Sequence, residues 1–481
     1  MPLRPEWMPP RTAGLGAGEV IFILCFVYGL ISENPVESVW AFALLRLMLR
    51  LFWWTGYPPI LVYALAVPWL EVHVNVFEAN YYNVDLNALF PQATGRRTFW
   101  IASLGFLAVV LGLRIGLGRI WNRLHPSFEW LKTRAEALNQ VNVVVSLVAV
   151  RLMTVGLDAI IPWGSSIRQI VTYFSGIELA LSVLFTIHFF LTRKRPWLFF
   201  LFFLFDVVSS FYSYFGDWKG PIVVLLMGAA MTMRRVNIKQ VLAFTPLLAG
   251  TIFILFIWQA VKGDYRSFLS KNERAQVVQV SREEALKKFW ELGTEALSMS
   301  EDERQVVFGA TFRRIGYLEF FSGAVDNVPS EIPHERGGLI VENLKFVLIP
   351  RLLNPEKGVK NDRLKVEKYT DYSFGENSFS SFSLGHYCEA YIDWGFGGAL
   401  IQLFCYGLLG AYIVRQVYRR FERLHVLLMF GILFSMLSPW ATMQQDFISM
   451  FGSILWNTIC HFFFFFPVYH YLNRFISASS H

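Results

Sequence analysis

Long unbroken apolar stretches, separated by short polar connections, dominate the chain from residue 18 to 260 and again from 391 to 472. Twelve such runs stand out: 18 to 32, 37 to 53, 57 to 76, 98 to 116, 141 to 161, 167 to 191, 197 to 214, 217 to 232, 240 to 260, 391 to 414, 426 to 442 and 453 to 472. A bilayer needs about 20 apolar residues per helix, and these runs are continuous where barrel strands would alternate. They predict an all-α polytopic membrane protein with about twelve transmembrane helices. The first run is followed by Ser-Glu-Asn-Pro rather than a small-residue cleavage site, so no signal peptide is expected.

The pattern changes between 261 and 390, where polar and apolar residues mix as in a water-soluble protein. Ser281-Arg-Glu-Glu284 has the form of a capping box, and Leu286, Phe289, Trp290 and Leu297 suggest an amphipathic face suited to the membrane surface. A second helix is expected from Glu301 to about Ser322, carrying Arg313 and Arg314 among Phe312, Ile315, Tyr317 and Phe320. After an irregular link from Val328 to Pro333, the run from Leu339 to Ile349 is too short to span and predicts a re-entrant or interfacial helix. Three regions follow: an N-terminal bundle of about nine helices (1–260), a large loop region (261–390) and a C-terminal bundle of about three helices (391–481).

Composition agrees, since only 16% of residues are charged while 54% are hydrophobic, against roughly 25% charged in soluble domains. Charge orients the bundle. The basic connections 192 to 196, 234 to 239 and 415 to 425, and the stretch from Arg114 to Arg134, belong in the cytoplasm by the positive-inside rule. Both termini then lie inside and the 261–390 region lies outside. The net charge of +7 resides largely in these connections and gives no reason to invoke nucleic acid. Three of the four cysteines fall in apolar runs, which leaves no pair to staple the loop. No His/Cys cluster of metal-ligand spacing and no nucleotide fingerprint occurs, so neither cofactor nor metal is expected.

Cations on the outer side run against the positive-inside bias and invite chemistry. Lys219 sits in Gly216-Asp-Trp-Lys-Gly-Pro221, where the backbone is free to approach a ligand; its alternative is a snorkelling lysine paired with Asp217. Arg313 and Arg314 are either headgroup-facing cations or ligand contacts, and Arg351 follows the re-entrant segment. Guanidinium groups gathered at this edge would suit a lipid pyrophosphate, which they bind bidentately. In Gly385-His-Tyr-Cys-Glu-Ala-Tyr-Ile-Asp-Trp-Gly-Phe-Gly-Gly398, helical spacing puts His386, Glu389 and Asp393 on one face at the start of the tenth run. A carboxylate at the rim of an apolar cavity is a candidate general base; the bland alternative is a helix-start cluster favoured by the dipole.

The string from Glu389 to Gly398 resembles the Glu-x-Tyr-x-Asn/Asp-Phe-Gly-x-x-Gly stretch of bacterial oligosaccharide repeat-unit polymerases, the Wzy-type O-antigen and exopolysaccharide polymerases. The Gly-x-x-Lys-Gly element at Lys219, the segment from Ile349 to Lys357 and the single large outer loop extend the resemblance over about residues 200 to 415. Trp394 stands where that pattern has Phe or Tyr, and Lys219 where many such proteins have arginine. The resemblance implies a GT-C-like fold in the bacterial inner membrane, with the active site facing the periplasm. It implies glycosyl transfer from one undecaprenyl-pyrophosphate-linked glycan to another lipid-linked repeat unit. Glu389 and His386 would be catalytic, Lys219, Arg313, Arg314 and Arg351 would hold the pyrophosphate, and Tyr317, Tyr387, Tyr391 and Asp393 would contact sugar, with Tyr369 and Tyr372 beside the path. The partners so implied are the lipid-linked oligosaccharide, membrane lipids, a chain-length regulator and a flippase. Two rivals remain: an O-antigen ligase, with His386 as base and lipid A core as acceptor, and a transporter of lipid-linked sugars, which predicts charges near mid-bilayer.

Overall fold

The computed structural model describes residues 17–53, 59–118, 128–161, 168–210, 219–232, 238–271, 279–349, 354, 358, 360–373 and 382–477. Among the described residues there are helices and no strands. The first ten are α1 (Ala17–Ile31), α2 (Pro35–Phe52), α3 (Pro59–Tyr81), α4 (Gly95–Leu117), α5 (Phe128–Glu136), α6 (Gln140–Ile160), α7 (Arg168–Thr192), α8 (Pro196–Ser210), α9 (Lys219–Thr232) and α10 (Ile238–Leu269). The polar region holds α11 (Arg282–Leu297), α12 (Glu301–Ile315), α13 (Leu318–Asn327), α14 (Gly338–Leu348) and α15 (Asp362–Tyr369). The chain closes with α16 (Gly385–Arg420), α17 (Val426–Leu437), α18 (Phe447–Ile459) and α19 (Phe466–Ser477), the last two joined by a π-turn at Cys460–Phe464.

Among the described residues, each of the twelve apolar runs is mainly helix. By length and composition, six helices among the described residues can cross a membrane: α3, α4, α6, α7, α16, and α18 with its π-turn. Four others, α1, α8, α9 and α17, are apolar but shorter.

Close helix crossings hold the bundle together. A Cβ on Gly112 of α4 would collide with the Phe404 carbonyl of α16, and one on Gly407 would collide with the Val109 carbonyl, so the two backbones meet without side chains between them. Gly431 of α17 sits in the same way against the Ala180 carbonyl of α7. Around these contacts one apolar core joins α2, α3, α4, α6, α7, α13 and α16 to α19, and a smaller one packs Trp258, Val261, Tyr265 and Leu269 of α10 against Ala285, Leu292 and Ala296 of α11.

The polar region departs from expectation in three places. The capping box at Ser281 forms, but Phe289 of α11 packs inward on Trp258 and Tyr265 while Leu286, Trp290 and Leu297 stay exposed. The helix expected from Glu301 to Ser322 is two helices. Gly316 breaks it, because its backbone lies against the Asn75 side chain and the next amide, Tyr317 N, donates to the Glu71 carbonyl at 2.9 Å. Helix α10 also continues to Leu269, past the end of its apolar run at 260. The short helix anticipated at Leu339 to Ile349 is α14.

Candidate functional site

Helix α16 is bent at Gly395, whose φ of 66° and ψ of −171° place it in a region essentially reserved for glycine. The bend frees the carbonyls of Ile392 and Asp393, and these accept from the amides of Glu335 (3.1 Å) and Arg336 (2.8 Å) ahead of α14. An added Cβ at Gly395 would also lie 3.0 Å from His334 Nε2. Gly395→Ala should therefore lower stability by about 1–3 kcal/mol, read as a lower melting temperature of the solubilised protein. An unchanged temperature would show that the bend is not fixed by this glycine.

The segment before the bend is buried on all sides, and each of its polar side chains has a different partner. Asp393 accepts from the Leu339 and Ile340 amides at 2.9 Å each, so its carboxylate caps α14 where the helix dipole favours negative charge. Glu389 is 2% exposed. Lys365 Nζ lies 2.8 Å from its Oε1, while Oε2 accepts from Phe447 N at 2.8 Å and Asn343 Nδ2 at 3.4 Å. Lys365 also donates to Asn343 Oδ1 at 2.8 Å, closing a triangle of Lys365, Asn343 and Glu389. His386 donates its backbone amide to the Gln445 carbonyl at 2.9 Å, and its Nδ1 lies 2.9 Å from the same oxygen. The expected face thus exists, but it meets the connection before α18 with His386, α15 with Glu389 and α14 with Asp393.

Of the tyrosines named from sequence, Tyr317, Tyr369, Tyr387 and Tyr391 are buried and Tyr372 is half-buried. Tyr317 donates its hydroxyl to the Leu384 carbonyl (2.7 Å) and accepts from Cys388 N (2.9 Å), and Tyr391 donates to the Val328 carbonyl (2.8 Å). Tyr387 packs against His386, with ring centroids 4.8 Å apart. Tyr391 in addition lines a cavity of about 530 Å³ with Arg97, Trp100, His334 and Phe396. Tyr369 donates to Glu335 Oε1 at 2.6 Å, and Tyr372 reaches Glu319 at 3.5 Å.

Beside Glu389 lies a second charged knot. Lys360 Nζ donates to Asp446 Oδ1 (2.6 Å), Asp362 Oδ2 (2.7 Å) and Ser449 Oγ (2.7 Å). The remaining oxygens, Asp446 Oδ2 and Asp362 Oδ1, are buried without a hydrogen-bond partner. Burial and then the neighbouring Asp446 charge push the Asp362 carboxyl above its ordinary range. Burial works against the Lys360 charge, but the two aspartates outweigh it and raise its pKa.

The connection from Ser438 to Asp446 links this knot to the cations. Its Thr442 hydroxyl and Met443 amide donate to Glu71 of α3 at 2.5 and 2.6 Å, and Gln444 Nε2 donates to the Ile315 carbonyl at the end of α12 at 2.9 Å. Next to that end, beyond the apolar run of α10, Lys262 is pushed down to about 8 by burial and then by the positive charges of Arg314, Arg266 and Lys219. Four cations therefore converge there. Lys219 and Arg314 were visible in the sequence as candidates, whereas Lys262 and Arg266 look in sequence like the polar end of a span. Arg313 turns instead toward Glu78 and Glu319. Arg351 and Asp217 lie outside the described residues.

Charges also occur inside the apolar helices. Arg151 of α6 meets Asp206 of α8 (Nη1 to Oδ1, 2.5 Å) and Glu178 of α7 (Nε to Oε1, 3.7 Å) beside a cavity of about 270 Å³. None of the three was a candidate in the sequence, because they stand singly in three separate runs. Among the described residues no group of three acidic, His or Cys side chains is placed to hold a metal.

A family model described as a domain of unknown function, DUF8712, matches residues 90–473, which include everything from α4 to most of α19. No curated protein and no solved structure matches the chain.

Proposed function

We propose that this chain, which belongs to the DUF8712 family, is a membrane glycosyltransferase that polymerises lipid-linked oligosaccharide repeat units on the outer face of the bacterial inner membrane. In this reading the twelve apolar helices span the bilayer and residues 261–390 face the periplasm. The observation that carries it is the convergence of Lys219, Lys262, Arg266 and Arg314. The positive charges of Arg314, Arg266 and Lys219 all act on Lys262 there, which suits an anion such as a polyprenyl pyrophosphate. During transfer the anomeric C–O bond to pyrophosphate breaks, and the acceptor hydroxyl oxygen bonds to the same carbon while its proton passes to a carboxylate or histidine. The cations stabilise the charge left on the departing pyrophosphate, with no reorganisation at the moment of reaction. Glu389 and His386 are the bases this reading assigns, reached through the connection that Gln444 ties to the end of α12.

Purified protein in nanodiscs, given synthetic lipid-linked repeat units and no nucleotide sugar, should build a ladder of polymer. Arg314→Ala and Lys262→Ala should each slow it by about 10²–10³-fold, the usual effect of removing one donor to developing charge. Normal rates in both variants, or no polymer from the wild type, would sink the reading. The Arg151, Glu178 and Asp206 triad favours a second reading, a transporter for lipid-linked sugars, since charges inside spans are costly and tend to be functional. Translocation of the lipid-linked unit across liposomes without any polymer would select it.

A further inference from the structure

Arg96 and Arg97 are neighbours in the first turn of α4 with unlike surroundings. Arg96 is held by Glu37 at 3.0 Å and Asp85 at 2.7 Å. Arg97 is exposed and makes no hydrogen bond and no ion pair among the described residues. It borders the cavity of about 530 Å³ beside Tyr391, a size within the roughly 300–1,000 Å³ of small-molecule sites. No carboxylate lines this cavity, so Arg97 finds no internal counter-charge there.

The depth of the cavity follows from the two helices that frame it. Both α4 and α16 can cross a membrane, and they run in parallel, with Gly105 against Leu403, Gly112 against Phe404 and Gly116 against Ala411. Arg97 stands one residue ahead of the apolar run at 98–116, and Tyr391 opens the run at 391–414, so both runs begin at the same end of the bundle. The cavity therefore lies where hydrocarbon gives way to headgroups, which is the level of lipid phosphates. Beside Arg97 its wall is apolar or aromatic, with Trp100, Ile101 and Phe396. The Tyr391 hydroxyl is already given to the Val328 carbonyl, and His334 Nδ1 lies 3.2 Å from the Ile392 carbonyl. A guanidinium beside such a wall suits a molecule with an anionic head and a hydrocarbon body, because it is weakly hydrated and binds phosphate bidentately. A sugar would find no carboxylate to accept from its hydroxyls. A choline headgroup would meet the charge of Arg97, and Trp100 and Tyr391 pack on Trp40, Phe99 and Phe321 instead of forming an open cage.

We infer that this cavity binds a net-anionic membrane lipid, with Arg97 on its phosphate and the first carbons of its chains against Ile101 and Phe396. The site is separate from the Glu389 cluster, since Tyr391 lies about 200° around α16 from Glu389. It goes beyond the glycosyl-transfer reading and requires only that α4 and α16 cross a membrane.

The test measures binding and needs no turnover. The full chain, delipidated in neutral detergent, is titrated by native mass spectrometry with phosphatidylglycerol, with phosphatidylcholine of the same acyl chains, and with inorganic phosphate. Phosphatidylglycerol should be retained most tightly. Arg97→Ala should weaken its binding by at least about tenfold, the scale of a hydrogen bond to a charged group. Arg97→Lys should restore only part of that, because an ammonium makes no bidentate contact. Arg97 is exposed, so these variants should fold as wild type does. Arg336→Ala is the control for general charge: Arg336 is also exposed and bonds through its amide to the Asp393 carbonyl, but it does not line the cavity, and its loss should leave binding unchanged. Phosphatidylcholine bound as tightly as phosphatidylglycerol would overturn the assignment, as would inorganic phosphate bound as tightly as the lipid. Undiminished binding in Arg97→Ala, or an equal loss in Arg336→Ala, would overturn it too.

Discussion

Replacing Lys360 with methionine is expected to destabilise the protein by about 3–5 kcal/mol at pH 8, the largest effect foreseen for any single side chain here, because it strands a buried ionic group. Methionine keeps most of the apolar stem, so packing changes little. What goes is the ammonium that holds Asp446 and Asp362, at 1% and 13% side-chain exposure, each of which already has one oxygen without a partner. Two buried carboxylates then face each other with nothing between them.

The loss should also depend on pH. A carboxyl whose folded pKa lies above its unfolded value penalises folding fully when ionised, and the penalty fades as pH falls through the folded pKa. Asp362 is raised even with Lys360 present, by burial and by Asp446, and removing the ammonium raises it further. The deficit of Lys360→Met should therefore shrink as pH falls from 8 toward the ordinary carboxylate range, and Lys360→Met with Asp362→Asn should recover part of it at pH 8. Melting curves that match wild type at pH 8 would show that the knot contributes nothing to stability.

The helices were legible in the sequence because each apolar run is a local signal, as is a capping box such as Ser281 with Glu284 or Ser300 with Glu303. The site was legible only by halves. Glu389, His386 and Asp393 stand out because they interrupt or flank an apolar run, but their partners Lys365, Asn343, the Leu339 amide and the Gln445 carbonyl lie 24 to 59 residues away with nothing local to pair them. In sequence Gly395 is one of three glycines between 395 and 398, and its role in bending α16 follows only from the backbone. The same limit explains Lys262 and Arg266, which acquire meaning from Lys219 and Arg314, carried by other helices. Pairing between distant segments is what composition and periodicity do not encode.

Glu389 itself poses the sharpest choice between chemistry and architecture. Both of its oxygens are engaged, Oε1 by Lys365 and Oε2 by Asn343 and the Phe447 amide, which leaves Oε1 the less occupied of the two for a proton. As a general base it should contribute about 10²–10⁴ in rate, and Glu389→Gln should lose that factor. As an anchor alone, Glu389→Gln should harm the fold instead, since it leaves the Lys365 ammonium without its counter-charge. A double variant separates the two: Glu389→Gln with Lys365→Met removes both charges, which is often near neutral for stability. We expect the pair to melt close to wild type and still polymerise at least about 100-fold more slowly. If the double variant regains both melting temperature and rate, Glu389 is an anchor, and the base of the proposed transfer moves to His386, whose Nδ1 lies against the Gln445 carbonyl and whose loss by His386→Ala would then stop polymerisation.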